Sequence, residues 1–151
     1  MRDWWSTNDR KQFDEATSCE VEQFSEGVPK SDDAAPSRRP PGSLTVAENT
    51  AENGGVRIAY QALMNALVAQ GTAADKQSDG YTESQRFFLS FAQSSCEGEK
   101  IGPKVAGKLV RPRSAERVRV NSAVQNFEEF DKAFQCAKGK PLYPEKSCRV
   151  W

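Results

Sequence analysis

A chain of 151 residues that is 37% hydrophobic and 28% charged fits one modest globular domain. Its 21 Lys plus Arg balance 21 Asp plus Glu, which leaves no electrostatic basis for binding nucleic acid or an anionic membrane. No run approaches the ~18 apolar residues of a membrane span, and the opening Met1-Arg2-Asp3-Trp4-Trp5 lacks the apolar stretch of a signal peptide.

Ser6 is a candidate N-cap for a first helix from Thr7 to Glu26, with Phe13, Ala16, Thr17, Val21 and Phe24 as a narrow apolar stripe. Trp4 and Trp5 would pack at its entrance. From Gly27 to Ser43 the chain carries Pro29, Pro36, Pro40 and Pro41 among polar residues, so it reads as an exposed loop with Arg38 and Arg39 solvated. A long amphipathic helix follows, from Leu44 to Gln70. Leu44, Ala47, Ala51, Gly55, Ile58, Ala62 and Ala66 recur every three or four residues, widened by Ala59 and Leu63, and this stripe is expected to be buried.

Two carboxylates sit oddly on that helix. Glu48 projects about 40° and Glu52 about 80° from the centre of the stripe, at its flank rather than on the opposite face. Being four apart they repel by about 0.2 to 0.5 kcal/mol, and no Lys or Arg lies three or four residues from either. One reading is Arg partners from another helix, or solvation at the edge of the stripe. The other is a metal-ligand carboxylate followed one turn later by a carboxylate that orients a second ligand. Gly54 and Gly55 each cost about 1 kcal/mol relative to Ala in a helix, which predicts close approach of another segment on that face.

Gly71 to Gly80 is a second polar break. Thr82 and Gln85 fit a capping box before a helix striped with Phe87, Phe88, Phe91, Ala92 and Ser95. Between Glu97 and Pro112 periodicity is lost, and a loop with a short helix around Val105 is expected. Arg111, Arg113, Arg117 and Arg119, read without further context, are solvated surface charge. Asn126 and Glu129 form a capping-type pair before Phe127, Phe130, Ala133 and Phe134, a short helix closed near Gly139, and Pro141 to Trp151 reads as an extended tail with Trp151 packed. No run alternates convincingly enough for a strand. The chain reads as mainly α.

Cys19, Cys96, Cys136 and Cys148 contain no C-x-x-C pair, which argues against a zinc knuckle or a thioredoxin-like site. Four cysteines permit three pairings, or four buried thiols in a reducing compartment. The residues leave that choice open.

The run Ala47-Glu48-Asn49-Thr50-Ala51-Glu52-Asn53-Gly54-Gly55 resembles the G-E-N-x-A-D-x-G-G motif of the neprilysin and endothelin-converting-enzyme family of zinc metalloendopeptidases. The resemblance continues in Arg2-Asp3-Trp4-Trp5-Ser6, in Tyr81 to Cys96, in Arg119-Val120-Asn121 and in the ending Cys148-Arg149-Val150-Trp151. It implies a helical C-terminal subdomain of a zinc metallopeptidase catalytic domain, with residues 1–151 following the H-E-x-x-H helix and residues 27–43 an exposed loop within it. It implies that Glu48 is the third zinc ligand and that Glu52 stands where the family has an Asp that orients a zinc-binding His. Arg119 resembles the Arg that hydrogen-bonds a substrate carbonyl. Arg113 falls where the family has an oxyanion-stabilising His, and Ser95 where it usually has a Trp. The resemblance also implies a disulfide between Cys19 and Cys148, partners for Cys96 and Cys136 in an upstream region, and an extracellular setting.

A catalytic zinc needs three protein ligands, an open position for water and a base for that water's proton. The family takes two His and the base from H-E-x-x-H. This chain has no His. Zinc is therefore expected only with ligands from an upstream segment, and the chain alone is expected to be inactive, since no Ser-His or Cys-His pair can form either. Two functions follow: the C-terminal part of a peptide-hydrolysing zinc enzyme whose partners are peptides and the missing N-terminal part, or a non-catalytic secreted or fragmentary relative that binds peptides or a partner chain. The departures Glu52, Arg113 and Ser95 lean towards the second.

Overall fold

The computed structural model describes residues 4–26, 41–73, 76–96 and 116–150. Helix α1 (Thr7–Glu26) starts where Ser6 Oγ accepts the Asp9 N–H at 3.1 Å, and Trp5 packs edge-on against Phe13. Helix α2 (Gly42–Ala69) follows. A turn at Asp79-Gly80, both at positive φ, joins the two-residue strands β1 (Gln77–Ser78) and β2 (Tyr81–Thr82). Asp-Gly is a strong signal for such a hairpin, but pairs this short carry no alternation and were not expected. Helix α3 (Glu83–Ser94) opens on the predicted Thr82–Gln85 capping box.

Helices α4 (Glu116–Val124) and α5 (Glu128–Phe134) complete the fold. The sequence does not announce α4, because its arginines interrupt any apolar stripe. The expected Asn126 cap of α5 is also corrected. Phe127 is the N-cap residue and makes no side-chain cap. The Asn126 side chain instead pairs reciprocally with Gln23 at 3.1 and 2.8 Å and accepts the Cys148 N–H. α5 ends earlier than expected, at Gln135 in the left-handed conformation, while Gly139 serves a later turn beside the Lys140–Tyr143 bridge. Residues 27–40 of the loop expected at 27–43, the short helix near Val105 and Trp151 lie outside the described residues, while Gly42 and Ser43 belong to α2.

The apolar core is aromatic. Phe88, 2% exposed, meets Phe127 and Phe130 edge-on at 5.4 and 5.3 Å and stacks on Tyr60, with Val56, Ala123 and Val124 closing around it.

The central helix corrects the largest expectation. Its apolar stripe faces outward: Leu44 is 60% and Ile58 72% exposed, and Ala47, Ala51, Gly55, Ala59, Ala62 and Ala66 are exposed as well. The buried face is Thr45, Asn49, Thr50, Asn53 and Val56. The cause is Glu20 of α1, 1% exposed, whose two oxygens accept from Thr50 Oγ1 at 2.5 Å and Asn53 Nδ2 at 2.7 Å. Asn49 in turn donates to Thr45 Oγ1 at 2.9 Å. Gly42 fits this contact because a Cβ there would lie 2.1 Å from the Val21 carbonyl oxygen. The close approach expected at Gly54 and Gly55 is divided: Gly54 is buried, whereas nothing among the described residues lies within 4 Å of a Cβ built on Gly55.

A disulfide between Cys19 and Cys148, with Cα atoms 5.5 Å apart, ties the tail to α1. Cys96 and Cys136 are free thiols, and burial raises the Cys136 pKa.

Replacing Glu20 by Ala leaves the Thr50 and Asn53 donors buried without an acceptor. The expected loss is about 3 kcal/mol in urea unfolding, with a smaller loss for Glu20→Gln, which keeps one acceptor oxygen. A second outcome concerns Asp131 on α5, which is buried with Oδ1 unpaired among the described residues. Burial, then Glu128, pushes its carboxyl from 3.8 up to about 6. The folded state therefore holds this proton more tightly than the unfolded chain, and its contribution to stability, full below 3.8, is lost as pH rises through about 6. Asp131→Asn should flatten that decline and be the more stable protein at pH 7 by about 1 kcal/mol, allowing for solvent screening. Unfolding curves for the two proteins that stay parallel across this range would assign the decline to other groups.

Candidate functional site

α2 presents Glu48 and Glu52 one turn apart, and α4 presents Arg119 against the second of them. Arg119 Nε donates to Glu52 Oε2 at 2.7 Å and Nη2 to Glu52 Oε1 at 2.8 Å, a two-pronged ion pair. The side chains of Arg119 and Glu52 are 19% and 14% exposed. Arg119 is thus not a solvated surface charge. Glu116, three residues earlier on α4, takes Nη1 with both oxygens at 2.9 Å. The Glu52 hydrogen bond is the largest reason why the Arg119 pKa is raised, and it outweighs the burial that opposes it.

This answers half of the electrostatic problem posed by the two carboxylates. Glu52 has its positive partner; Glu48, half-buried, makes no ion pair among the described residues. Each Glu52 oxygen keeps a lone pair, so the ion pair leaves it able to accept from a further donor. Glu52 also walls a groove of about 450 Å³ between α2 and α3, otherwise lined by Gly55, Val56, Ala59, Phe87, Ser90 and Phe91.

The structure brings Glu52 and Arg119 together and places Glu48 one helical turn away. Arg113 lies outside the described residues, and Ser95 is half-buried at the end of α3. Cys19 and Cys148 form the disulfide described above, with no part in the groove. Sequence reasoning overlooked Glu116, although its place three residues before Arg119 on one helix face is a readable signal. It also overlooked Glu20, whose burial no local pattern announces.

Among the described residues no three His, Cys, Asp or Glu side chains are grouped to hold a metal ion. Glu48 offers one carboxylate where a zinc site needs three protein ligands, so these residues by themselves do not fit the metal.

Residues 1–150 match the model of peptidase family M13. All of the chain aligns with Neprilysin-1 of Caenorhabditis elegans at 36% identity and with human endothelin-converting enzyme 1 at 34%, covering 20% and 19% of those proteins. Its fold is similar to that of the zinc metalloprotease Zmp1 of Mycobacterium tuberculosis in an open state, with a TM-score of 0.77, 28% identity and coverage of 99% of this chain and 23% of that one. The helical architecture seen here is therefore that of part of a metallopeptidase, and the chain belongs to peptidase family M13. It spans about a fifth of the length of the curated relatives it matches.

The Glu52–Arg119 pair is mostly buried and doubly hydrogen-bonded, so the two residues should be energetically coupled. In a double-mutant cycle of Glu52→Gln and Arg119→Met, urea unfolding should give a coupling of about 2 kcal/mol. Additivity within about 0.5 kcal/mol would mean that the pair adds nothing beyond its parts.

Proposed function

We propose that this chain is the C-terminal portion of the catalytic domain of a neprilysin-like zinc endopeptidase, inactive alone and completed by a segment carrying H-E-x-x-H. The observation that carries this reading is the family match over residues 1–150; Glu48 and Glu52, one turn apart on α2, are in keeping with it. The outward apolar face of α2 supports it. Leu44, Ala47, Ala51, Ile58 and Ala62 make a stripe that a soluble helix would normally cover, and the remaining part of such an enzyme is what would cover it.

In this reading Glu48 contributes one metal ligand, Glu52 accepts a hydrogen bond from another ligand while held by Arg119, and Arg119 donates to a peptide carbonyl. Arg113 stands at the oxyanion position, with a guanidinium in place of an imidazole. Glu52 extends one methylene further than the family's Asp, and the bidentate grip of Arg119 fixes where that longer side chain ends. The setting is extracellular, in keeping with the Cys19–Cys148 disulfide. No helix of the described residues is long and apolar enough to cross a membrane.

The test is zinc content. The dialysed 151-residue chain should hold none, whereas the chain fused behind the preceding part of the C. elegans relative should hold one zinc and cleave peptides, with both lost in Glu48→Gln. Close to one zinc on the chain alone, lost in the variant, would show a ligand set of its own and overturn the reading. A fusion that holds zinc without cleaving peptide would favour the non-catalytic relative.

A further inference from the structure

Gln61 follows Glu52 on α2 at a spacing that places it about 180° around the helix. On that far side lies a pocket of about 330 Å³ lined by Arg57, Ile58, Gln61, Phe127, Glu129 and Arg149, which shares no residue with the groove beside Glu52. Arg57 gives an N–H of Nη2 to the Asn126 carbonyl and lies over the Phe127 ring, 4.9 Å from its centroid. Both partners are neutral. Arg57 makes no ion pair among the described residues, and its other N–H groups meet no acceptor there. Arg149 brings a second positive charge to the same pocket. Burial, then Arg149, lowers the Arg57 pKa, while Glu129 and Glu20 oppose the shift. Glu20 is committed to Thr50 and Asn53, and Glu128, whose charge Arg149 also meets, is paired with Lys132 at 2.8 Å. Within the lining, two guanidiniums and one carboxylate leave a net charge of +1. One monoanion neutralises it, and a dianion overshoots.

We propose that this pocket is a binding site for a carboxylate on a short apolar stem, held by Arg57 and Arg149 with the stem against Ile58 and Phe127. The ring under Arg57 fixes the plane of its guanidinium, and a fixed fork of donors is what a carboxylate takes best. Ile58, 72% exposed, and the Phe127 ring supply apolar wall for the stem. Two sources carry this chemistry: the end of a peptide chain closing on an apolar residue, and a free aliphatic acid. Gln61 separates them. Its Nε2 is given to Asn65 at 3.0 Å, which leaves Oε1 as an acceptor for the N–H that a chain end has and a simple acid lacks. The pocket needs nothing from the Glu48 and Glu52 side of the helix.

The experiment is an NMR titration of the full 151-residue chain at neutral pH, read at the Arg57 Nε–H and Phe127 backbone N–H signals. The probes are N-acetyl-leucine, its neutral amide, isocaproate and sulfate. N-acetyl-leucine should bind about tenfold more tightly than its amide, and both carboxylates more tightly than sulfate. Arg149→Gln should remove most of the preference for acid over amide. Glu129→Gln, which takes away the opposing charge, should strengthen carboxylate binding severalfold. Tighter binding of N-acetyl-leucine than of isocaproate assigns the pocket to chain ends, and the reverse order to free acids. Equal affinity for acid and amide, sulfate bound as tightly as the carboxylates, or an acid preference that neither substitution moves would overturn the proposal. Since Glu129→Gln leaves both arginines in place, its effect decides the matter even where Arg149→Gln unsettles the fold. A negative result here leaves the zinc test of Glu48 unaffected.

Discussion

Glu20 decides how α1 and α2 meet. A buried carboxylate is costly unless its oxygens are satisfied, and here one oxygen takes the Thr50 hydroxyl and the other the Asn53 amide. That requirement turns the polar face of α2 inward. Once it is inward, the helix is fixed in rotation: Thr45 and Asn49 follow onto the same face, Val56 reaches the aromatic core around Phe88, and Glu52 comes to lie at the flank where α4 can supply Arg119. The Cys19–Cys148 disulfide and the Gln23–Asn126 amide pair secure the same side of α1 to the tail and to the turn before α5.

What the sequence revealed and what it hid divide along this line. Local chemistry was legible. Ser6 caps α1, Thr82 and Gln85 box α3, and the phenylalanines at 88, 127 and 130 converge in the core, because each signal rests on residues within a turn or on strong apolar bulk. The rotation of α2 was not legible, since periodicity identifies which face is apolar and not what the helix is packed against. An apolar stripe predicts burial only where a covering partner is packed against it, and among the described residues none is packed on this one. Here the contact available is a polar one centred on Glu20, and nothing local to Glu20 distinguishes it from the exposed Glu15 or Glu22 of the same helix. α4 escaped for a related reason: its arginines read as solvent-facing, whereas Arg119 is drawn inward by carboxylates 67 and three residues away.

The same arrangement explains the candidate site. In the sequence Glu48 and Glu52 are two like charges one turn apart with no local compensation, and either a cation from another helix or a metal could have answered them. The structure supplies the cation to Glu52. Glu48 is left half-buried without an ion pair among the described residues, on the flank beside the outward stripe. The asymmetry matters chemically. A carboxylate already gripped by guanidinium is a poor candidate for direct metal binding, but its remaining lone pairs leave it a well-positioned acceptor.

Arg119 joins these two levels. Its pairing with Glu52 links α4 to α2, so the residue that would hold substrate is also part of what holds the fold together. Such a residue cannot give up its partners to a ligand without loosening the helix contact, which favours recognition by a donor left over rather than by exchange of one carboxylate for another. Glu116, on the same helix as Arg119, holds Nη1 of that guanidinium as well. A ligand that drew Arg119 away from Glu52 would set its own affinity against the stability of the α2–α4 contact.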